Sequence, residues 1–175
     1  AAGKAKIERV LQAVQPKTVL DVIGMRFLSW VDESFKTRGR GKWKPLSRLT
    51  LLMRPHGGDA PLQDTGKYKQ AFTPARSDGN TFVEVGSNRK TPSGILLAEI
   101  HEAGTAPYTI RARTAKVLAG KLGGGASGWI IFGKEVNHPG IPARPVLPTQ
   151  AEAEKMVQET VNEMLARIIG REGFG

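Results

Sequence analysis

The sequence contains no cysteine, which excludes disulfides, thiolate metal sites and cysteine nucleophiles. It also has no apolar run near the roughly 18 residues that a membrane-crossing helix needs. The N-terminus lacks the basic-then-apolar order of a secretion signal. We therefore expect a soluble protein whose partners do not include a membrane.

Motifs typical of enzymes are missing as well. The three histidines, His56, His101 and His138, are too widely spaced for a local metal-binding motif. The glycine-rich stretch 120–128 lacks the Lys-Ser/Thr ending of a phosphate-binding loop, and no serine lies in the glycine-flanked elbow of a hydrolase. The sequence thus predicts no catalytic residue, no metal and no cofactor.

A nuclease-like cluster is the one enzymatic site that the acidic residues could form. Its members would be Asp64, Glu99, His101 and Glu102, which together could hold a catalytic metal ion. These residues show no fixed pairing along the chain, and Asp64-Thr65-Gly66 is explained more simply as a helix cap or turn. An enzyme acting on DNA therefore ranks last among the functions that we consider.

Acidic residues are few, since 16 Asp and Glu face 26 Lys and Arg and leave a net charge of +10. One acid-free stretch contains seven cations: Lys36, Arg38, Arg40, Lys42, Lys44, Arg48 and Arg54. A second acid-free cluster contains Arg111, Arg113, Lys116 and Lys121. Surfaces of this charge attract acidic partners such as nucleic acid or acidic proteins.

Apolar periodicity and turn residues predict helices first, then strands, then a helix. The predicted helices cover 4–14, 17–36, 66–72 and 95–103, the predicted strands cover 81–85, 108–111, 115–118 and 128–132, and a last helix follows Thr149. This order indicates an α+β fold with N-terminal helices, a small antiparallel or mixed β-sheet with a flexible hairpin, and a C-terminal amphipathic helix.

We interpret the chain, 1–175, as a single domain with four recognisable parts. These are the N-terminal helices (1–38), a basic loop (39–62), a variable hairpin insert (105–138) and the C-terminal helix (149–170). The last helix starts with Thr149 and Glu152 at the spacing of a capping box. Its expected buried stripe consists of Val157, Val161, Leu165, Ile168 and Ile169.

The segment from His138 to Pro148 carries four prolines in eleven residues, so it can be neither a helix nor a central strand. We expect a stiff, extended lead-in to the last helix. Arg144 stands between Pro142 and Pro145, which allows its guanidinium to be aimed at a carboxylate or at backbone carbonyls with little further loss of entropy. A rigid linker is the simpler interpretation of the same prolines.

Five short motifs occur in a characteristic order along the chain. They are Trp43-Lys44-Pro45-Leu46-Ser47, then 61–68, 83–87 and 98–105, and finally Ile141-Pro142-Ala143-Arg144-Pro145. Together they resemble the virion morphogenesis and tail completion proteins of tailed bacteriophages, the Mu-like G family. Within this resemblance His101, Glu102 and Gly104 match a His-Glu-x-Gly signature that shapes the turn leading into the insert.

The resemblance implies a non-enzymatic structural protein of the virion neck or tail, present in the host cytoplasm during assembly. We expect a hexameric ring where head and tail join, with further contacts to other neck and tail proteins and to DNA in the channel. The residues assigned to subunit or partner interfaces are Trp43, Pro142, Arg144 and Pro145. The basic residues expected to face DNA or a partner are Arg38, Arg40, Lys42, Lys44, Arg111, Arg113 and Lys116.

A DNA-binding module that uses the basic segment 36–54 is the alternative function. Trp43 lies among cations there, and an aromatic residue in basic surroundings is typical of single-strand binders that stack bases and neutralise phosphates. The competing interpretation is that Trp43 packs on the domain while the cations stay in solvent. The resemblance favours a packing or docking role for this tryptophan.

Overall fold

Along the sequence, helices come first and last and a set of short antiparallel strands lies between them, which confirms the predicted α+β class. The computed structural model describes residues 14–72, 76–77 and 81–171, so the helix predicted over 4–14 lies outside the described residues except for its last one. The helices are α1 (Pro16–Lys36), α2 (Arg48–Met53), α3 (Lys67–Gln70), α4 (Leu97–Ala103) and α5 (Gln150–Arg171). The strands are β1 (Arg76–Ser77), β2 (Val83–Glu84), β3 (Tyr108–Arg111), β4 (Leu118–Lys121), β5 (Trp129–Gly133) and β6 (Glu135–His138).

The chain divides into two compact units. The terminal unit consists of Ala1–Val31, Thr73–Gly86 and Leu147–Gly175, and the central unit of Asp32–Phe72 and Ser87–Val146. None of the helices in the described ranges is long and apolar enough to cross a lipid bilayer.

In the terminal unit α5 begins with the predicted capping box. The Thr149 amide donates to Glu152 Oε2 at 2.9 Å, and the Glu152 amide donates back to Thr149 Oγ1 at 3.4 Å. Arg26 of α1 forms an ion pair with Glu163 of α5. Four residues of the predicted buried stripe of α5 are half-buried and Ile169 is exposed. Among the residues of this helix whose burial is described, Thr160 is the buried one.

Strands of the central unit form two antiparallel pairs. β3 pairs with β6, and β4 pairs with β5. The strand predicted over 115–118 lies further along the chain as β4, and β6 was not predicted. Its sequence Glu-Val-Asn-His carries a single large apolar residue, so the usual alternation signal is weak.

The hairpin predicted around the glycine-rich stretch is present, with β4 and β5 as its arms. The glycines of its tip also form specific contacts, because the Gly123 amide donates to Leu52 O at 2.9 Å and the Gly124 amide donates to Pro55 O at 3.3 Å. These bonds attach the tip to carbonyls at and beyond the end of α2. The hairpin tip, which was predicted to be flexible, is therefore attached at Gly123 and Gly124 to the segment 52–55.

The predicted loop 39–62 contains α2, which Ser47 caps by accepting a hydrogen bond from the Thr50 amide at 3.1 Å. The sequence pattern missed this helix because it is only one and a half turns long. Of the two residues predicted to cap α3, Asp64 does not do so, whereas Thr65 Oγ1 accepts a hydrogen bond from the Lys67 amide at 3.4 Å at the start of the helix. Asp64 instead forms an ion pair with the buried Arg54 at 3.1 Å.

An aromatic cluster forms the core of the central unit. Phe35 makes edge-on contacts with Trp43, Tyr68 and Phe72 at ring-centroid distances of 5.7, 6.0 and 6.1 Å. Edge-on aromatic pairs at such distances stabilise a protein beyond the area that they bury. Phe35 is in the last turn of α1, so this helix end anchors the core.

The turn after α1 brings Trp43 back against that helix. Four consecutive residues, Arg38 to Gly41, have positive φ angles between 53° and 76°. Each non-glycine residue in this region costs about 1 to 2 kcal/mol. A Cβ on Gly39 would lie 2.2 Å from the Trp43 ring, whereas a Cβ on Gly41 would meet nothing within 4 Å. Position 39 therefore favours glycine because of its positive φ angle and because of the nearby Trp43 ring. Position 41 favours glycine because of its φ angle alone.

We predict that Gly39→Ala destabilises the protein more than Gly41→Ala. Both alanines carry the backbone penalty of about 1 to 2 kcal/mol, and Gly39→Ala adds overpacking against Trp43 of roughly 1 to 3 kcal/mol. Urea denaturation of the two variants measures the difference. Equal losses of unfolding free energy would show that the Trp43 ring moves aside at no cost.

Candidate functional site

The proline-rich segment is fixed by the side chain of Arg144, which is 6% exposed. Its Nε and Nη2 atoms donate to Lys44 O at 3.1 and 2.9 Å, and Nη2 also donates to Pro45 O at 3.4 Å. The Arg144 amide donates to His101 O at 2.6 Å. Burial lowers the pKa of Arg144 from that of a free guanidinium. The sequence allowed either a carboxylate or backbone carbonyls as the partner of the Arg144 guanidinium, and the structure shows backbone carbonyls.

The two residues that follow Arg144, Pro145 and Val146, also form hydrogen bonds through their backbone. Trp43 Nε1 donates to Pro145 O at 2.9 Å, and the Val146 amide donates to Glu102 Oε1 at 2.7 Å. Ser34 Oγ donates to Val146 O at 3.0 Å. The segment 43–45 and the segment 144–146 thus hold each other through side-chain-to-backbone bonds in both directions.

The backbone at Gly104 shows why glycine stands at the last position of the His-Glu-x-Gly signature. Its φ is +72°, and a Cβ there would lie 2.5 Å from Ile141 O. The Thr105 amide donates to the same carbonyl at 2.9 Å. Glycine therefore allows the end of α4 to approach the proline-rich segment closely.

Four of the five sequence motifs meet in this part of the central unit. Tyr68, from the motif 61–68, contacts His101 with ring centroids 4.9 Å apart and ring planes tilted by 60°, and Gln63 Nε2 donates to Phe35 O at 2.9 Å. The motif 83–87 lies mainly in the terminal unit, apart from Ser87. Residues far apart in sequence thus form one contiguous site.

Tyr68 and His101 carry buried polar atoms without hydrogen-bond partners among the described residues, namely Tyr68 Oη and His101 Nδ1. Burial, followed by the charge of Glu102, raises the pKa of Tyr68 well above its ordinary value. Burial, followed by the charge of Arg144, lowers the pKa of His101 below 6.5. At neutral pH both side chains are uncharged.

The residues predicted to form interfaces have different exposures. Trp43 and Arg144 are buried in the central unit and make the internal bonds described above. Pro142 is half-buried and Pro145 is exposed. An interface formed by this segment would therefore use its prolines and backbone, while the indole and the guanidinium maintain its shape.

Several cations of the basic segment 36–54 pair with acidic residues of the protein itself and are therefore less available to a partner. Arg38 forms an ion pair with Asp59 at 2.9 Å, and Lys36 forms one with Asp32 at 2.6 Å. Arg54 is buried beside Asp64. Partial desolvation raises the pKa of Asp64, but hydrogen bonds from His56 and the charge of Arg54 outweigh this effect and hold it below the ordinary value.

The other predicted basic residues lie on the surface. Arg40 is exposed and donates to Ser34 Oγ at 2.8 Å, and Arg111 pairs with Glu135 at 3.2 Å. The exposed cations for which the described residues provide no acidic partner include Lys42, Lys44, Arg48, Arg113 and Lys116. These five cations are available to an acidic partner.

An exposed apolar face on the β4–β5 hairpin was missed by the sequence analysis. Trp129 and Ile131 are 65% and 62% exposed. They alternate with Ile130 along β5, so both point to the same face of the strand pair. The signal was present in the sequence, but a period-two pattern does not reveal which face meets the core.

No group of three or more metal-ligating side chains that could hold an ion occurs in the ranges that the structure describes. His101 lies against Tyr68, while His56 contacts Asp64. Glu102 accepts the Val146 amide. Three of the candidate nuclease residues, Asp64, His101 and Glu102, thus have separate structural contacts.

Comparisons with protein-family models, with curated proteins and with solved structures found no match.

Replacement of Arg144 should weaken the whole site. We expect Arg144→Ala to lower the free energy of unfolding by roughly 1.5 to 3 kcal/mol, as for a hydrogen-bonded charged group. Arg144→Lys should also destabilise, because one ammonium cannot reproduce the planar fork on two carbonyls. Chemical denaturation measures both, and exposed Arg113→Ala is the control with a change within about 0.5 kcal/mol. An unchanged Arg144→Ala protein would contradict this role.

Protonation of His101 should destabilise the fold. Its pKa is lowered in the folded state, so below the ordinary value of 6.5 the unfolded chain takes up a proton that the folded protein does not. The free energy of unfolding should therefore fall as pH decreases from that value toward the folded-state pKa. Melting curves against pH should show this slope, and His101→Phe should remove its contribution. NMR titration of His101 at or above 6.5 would contradict the assignment.

Proposed function

We propose that the protein is a non-enzymatic subunit of a phage neck or tail, which self-associates into a hexameric ring where head and tail join. The observation that carries this proposal is the apolar face of Trp129 and Ile131. Large apolar side chains exposed together mark interaction surfaces, and tryptophan is enriched at protein interfaces. A solvent-exposed face of this kind is covered when copies of the chain assemble.

The geometry of the hairpin adds a second argument. Within the described strands β4 has only β5 as its partner, and together they form a two-stranded sheet. An isolated two-stranded hairpin is marginally stable in water, and its open edges can accept a further strand. Association through this hairpin would bury the apolar face and satisfy edge hydrogen bonds together.

The convergence of the motifs supports the family resemblance. Motifs 43–47, 61–68, 98–105 and 141–145 contribute to one site, although a chance set of short matches has no reason to meet in space. Most of the contacts there hold backbone segments in position, and none of them arranges a nucleophile beside a base. Such a site supports a structural role for the protein.

The exposed cations suggest a contact with acidic neck proteins or with DNA in the channel. Lys42, Lys44 and Arg48 keep the DNA-binding alternative open, because they are exposed and close in sequence. Three other cations of the segment pair with Asp32, Asp59 and Asp64. We therefore expect fewer phosphate contacts than the seven cations of the segment would allow.

We predict that the double substitution Trp129→Ser and Ile131→Ser weakens self-association by at least about tenfold, as expected for central apolar interface residues. The folded monomer should keep its stability, because both side chains are solvent-exposed in the single chain. Native mass spectrometry and sedimentation across protein concentration measure the oligomer. Ile95→Ser, also at an exposed residue, is the matched control and should leave association unchanged.

A monomeric wild-type protein at high concentration would contradict the self-association proposal. Salt then separates the alternatives, because DNA binding through several phosphate contacts weakens steeply as salt increases. Apolar ring contacts should be almost insensitive to the same change. The DNA-binding module would be favoured if the monomer binds DNA tightly, if salt weakens this binding, and if Lys42→Glu abolishes it.

A further inference from the structure

The β4–β5 hairpin has two faces with different surroundings. A Cβ on Gly120 would overlap the end of the Met53 side chain and lie 3.3 Å from Phe132 Cε2, so the face that carries Gly120 and Phe132 is turned toward α2. Trp129 and Ile131 alternate with Phe132 along β5, and successive side chains of a strand point to opposite faces. We call the face of Phe132 the inner face and the face of Trp129 and Ile131 the outer face.

The inner face borders a cavity of the central unit with a volume of about 830 Å³. Most of the residues that line the cavity are apolar, and they include Leu46, Leu49, Met53, Leu97, Phe132 and Val136. Leu49 and Ile110 of this lining are 44% and 37% exposed, so the cavity opens to the protein surface. Its volume lies in the range of sites that enclose small ligands. It therefore has room for an indole ring and a neighbouring aliphatic side chain.

The cavity lining also includes the charged residues Arg54, Asp64 and Arg89. Arg54 and Asp64 form an ion pair at 3.1 Å, and Arg54 Nη1 donates to Gly58 O at 3.0 Å. Arg89 is exposed, and the described residues provide no acidic partner for it. An entering acid could pair with Arg89 but would lose its hydration against apolar walls. An aromatic ring suits both the walls and the guanidinium, and tryptophan gives the strongest cation–π contact.

We propose that this cavity receives the side chains of Trp129 and Ile131 from a second copy of the chain. Trp129 is the most exposed large apolar side chain in the described ranges, and Ile131 on the same face is almost as exposed. Because the inner face borders the cavity, the outer face of the same hairpin points away from it and cannot fill it within one chain. This inference rests on the proposed self-association and names the surface that covers the hairpin.

A contact between the outer face and the cavity is heterologous, because each copy contributes one surface and receives a different one. Heterologous contacts repeat in one direction and produce a closed ring when the rotation between copies closes. An isologous contact between two outer faces would also cover Trp129 and Ile131, but it would stop at a dimer and leave the cavity open. Of the two arrangements, the heterologous one covers both apolar surfaces with a single contact and can continue to a ring.

Mixing two variants of the full chain tests this contact. The double variant Trp129→Ser and Ile131→Ser keeps the cavity, whereas Leu49→Arg keeps the outer face and places a long cation in the cavity beside Arg89. Each variant alone should self-associate at least about tenfold more weakly than the wild type. Their equimolar mixture should form a heterodimer and no larger species, because one intact surface remains on each copy. Native mass spectrometry identifies the heterodimer, and sedimentation measures its affinity.

Leu51→Arg is the matched control, because Leu51 is an exposed residue of the same helix and does not line the cavity. It should associate like the wild type. Helix α2 contains no buried residue, so both arginine variants should fold, and urea denaturation checks this. Ile110→Arg, at a second exposed residue of the lining, repeats the test independently of α2. Arg89→Gln should weaken association about two- to fivefold, as expected for the loss of a cation–π contact.

The possible failures of this inference and of the proposed ring are distinguishable. If Leu49→Arg and Ile110→Arg fold and self-associate like the wild type, the cavity is not the partner surface, although the hairpin can still be the interface. If the two variants in the mixture fold but form no heterodimer, the contact is not heterologous. A wild-type chain that stays monomeric at the highest concentration would contradict both the ring and the contact with the cavity.

Discussion

The guanidinium of Arg144 on the carbonyls of Lys44 and Pro45 is the interaction on which the central unit depends. It joins segments about a hundred residues apart in sequence. Each partner segment also supports the other, since Trp43 reaches Pro145 O and Glu102 holds the Val146 amide. Closing a loop of this length costs entropy that grows only slowly with its size, so a few charge-assisted and buried bonds are enough to maintain it.

This clasp, formed by segments 43–45 and 144–146, also determines the surroundings. With Trp43 fixed, the turn after α1 must run through positive φ angles, and Phe35 gains its aromatic neighbours. With the proline-rich segment fixed, Gly104 at the end of α4 meets Ile141, and residues 138–142 line a cavity of the central unit. A single buried cation therefore has effects on a turn, a core and a cavity.

Charge has two roles in this molecule. Some cations of the basic segment neutralise acids within the fold, as Arg54 does with Asp64 and Arg38 with Asp59. Others, such as Lys44, remain exposed and can meet a partner. Net charge counts both kinds equally, which is why the total overestimates the surface available to DNA. The exposed hairpin face of Trp129 and Ile131 adds an apolar contribution that net charge does not reveal.

The sequence by itself determined the elements whose signals are local. The capping box of Thr149, the long α1 and the glycine-rich hairpin follow from short-range spacing, and proline stereochemistry predicted the extended segment around Arg144. Only the tertiary structure decided which carbonyls Arg144 binds, that Asp64 pairs with Arg54, and that Tyr68 and His101 share a cavity lining. These contacts join residues distant in sequence, and their partners depend on packing geometry, which no local pattern of residues encodes.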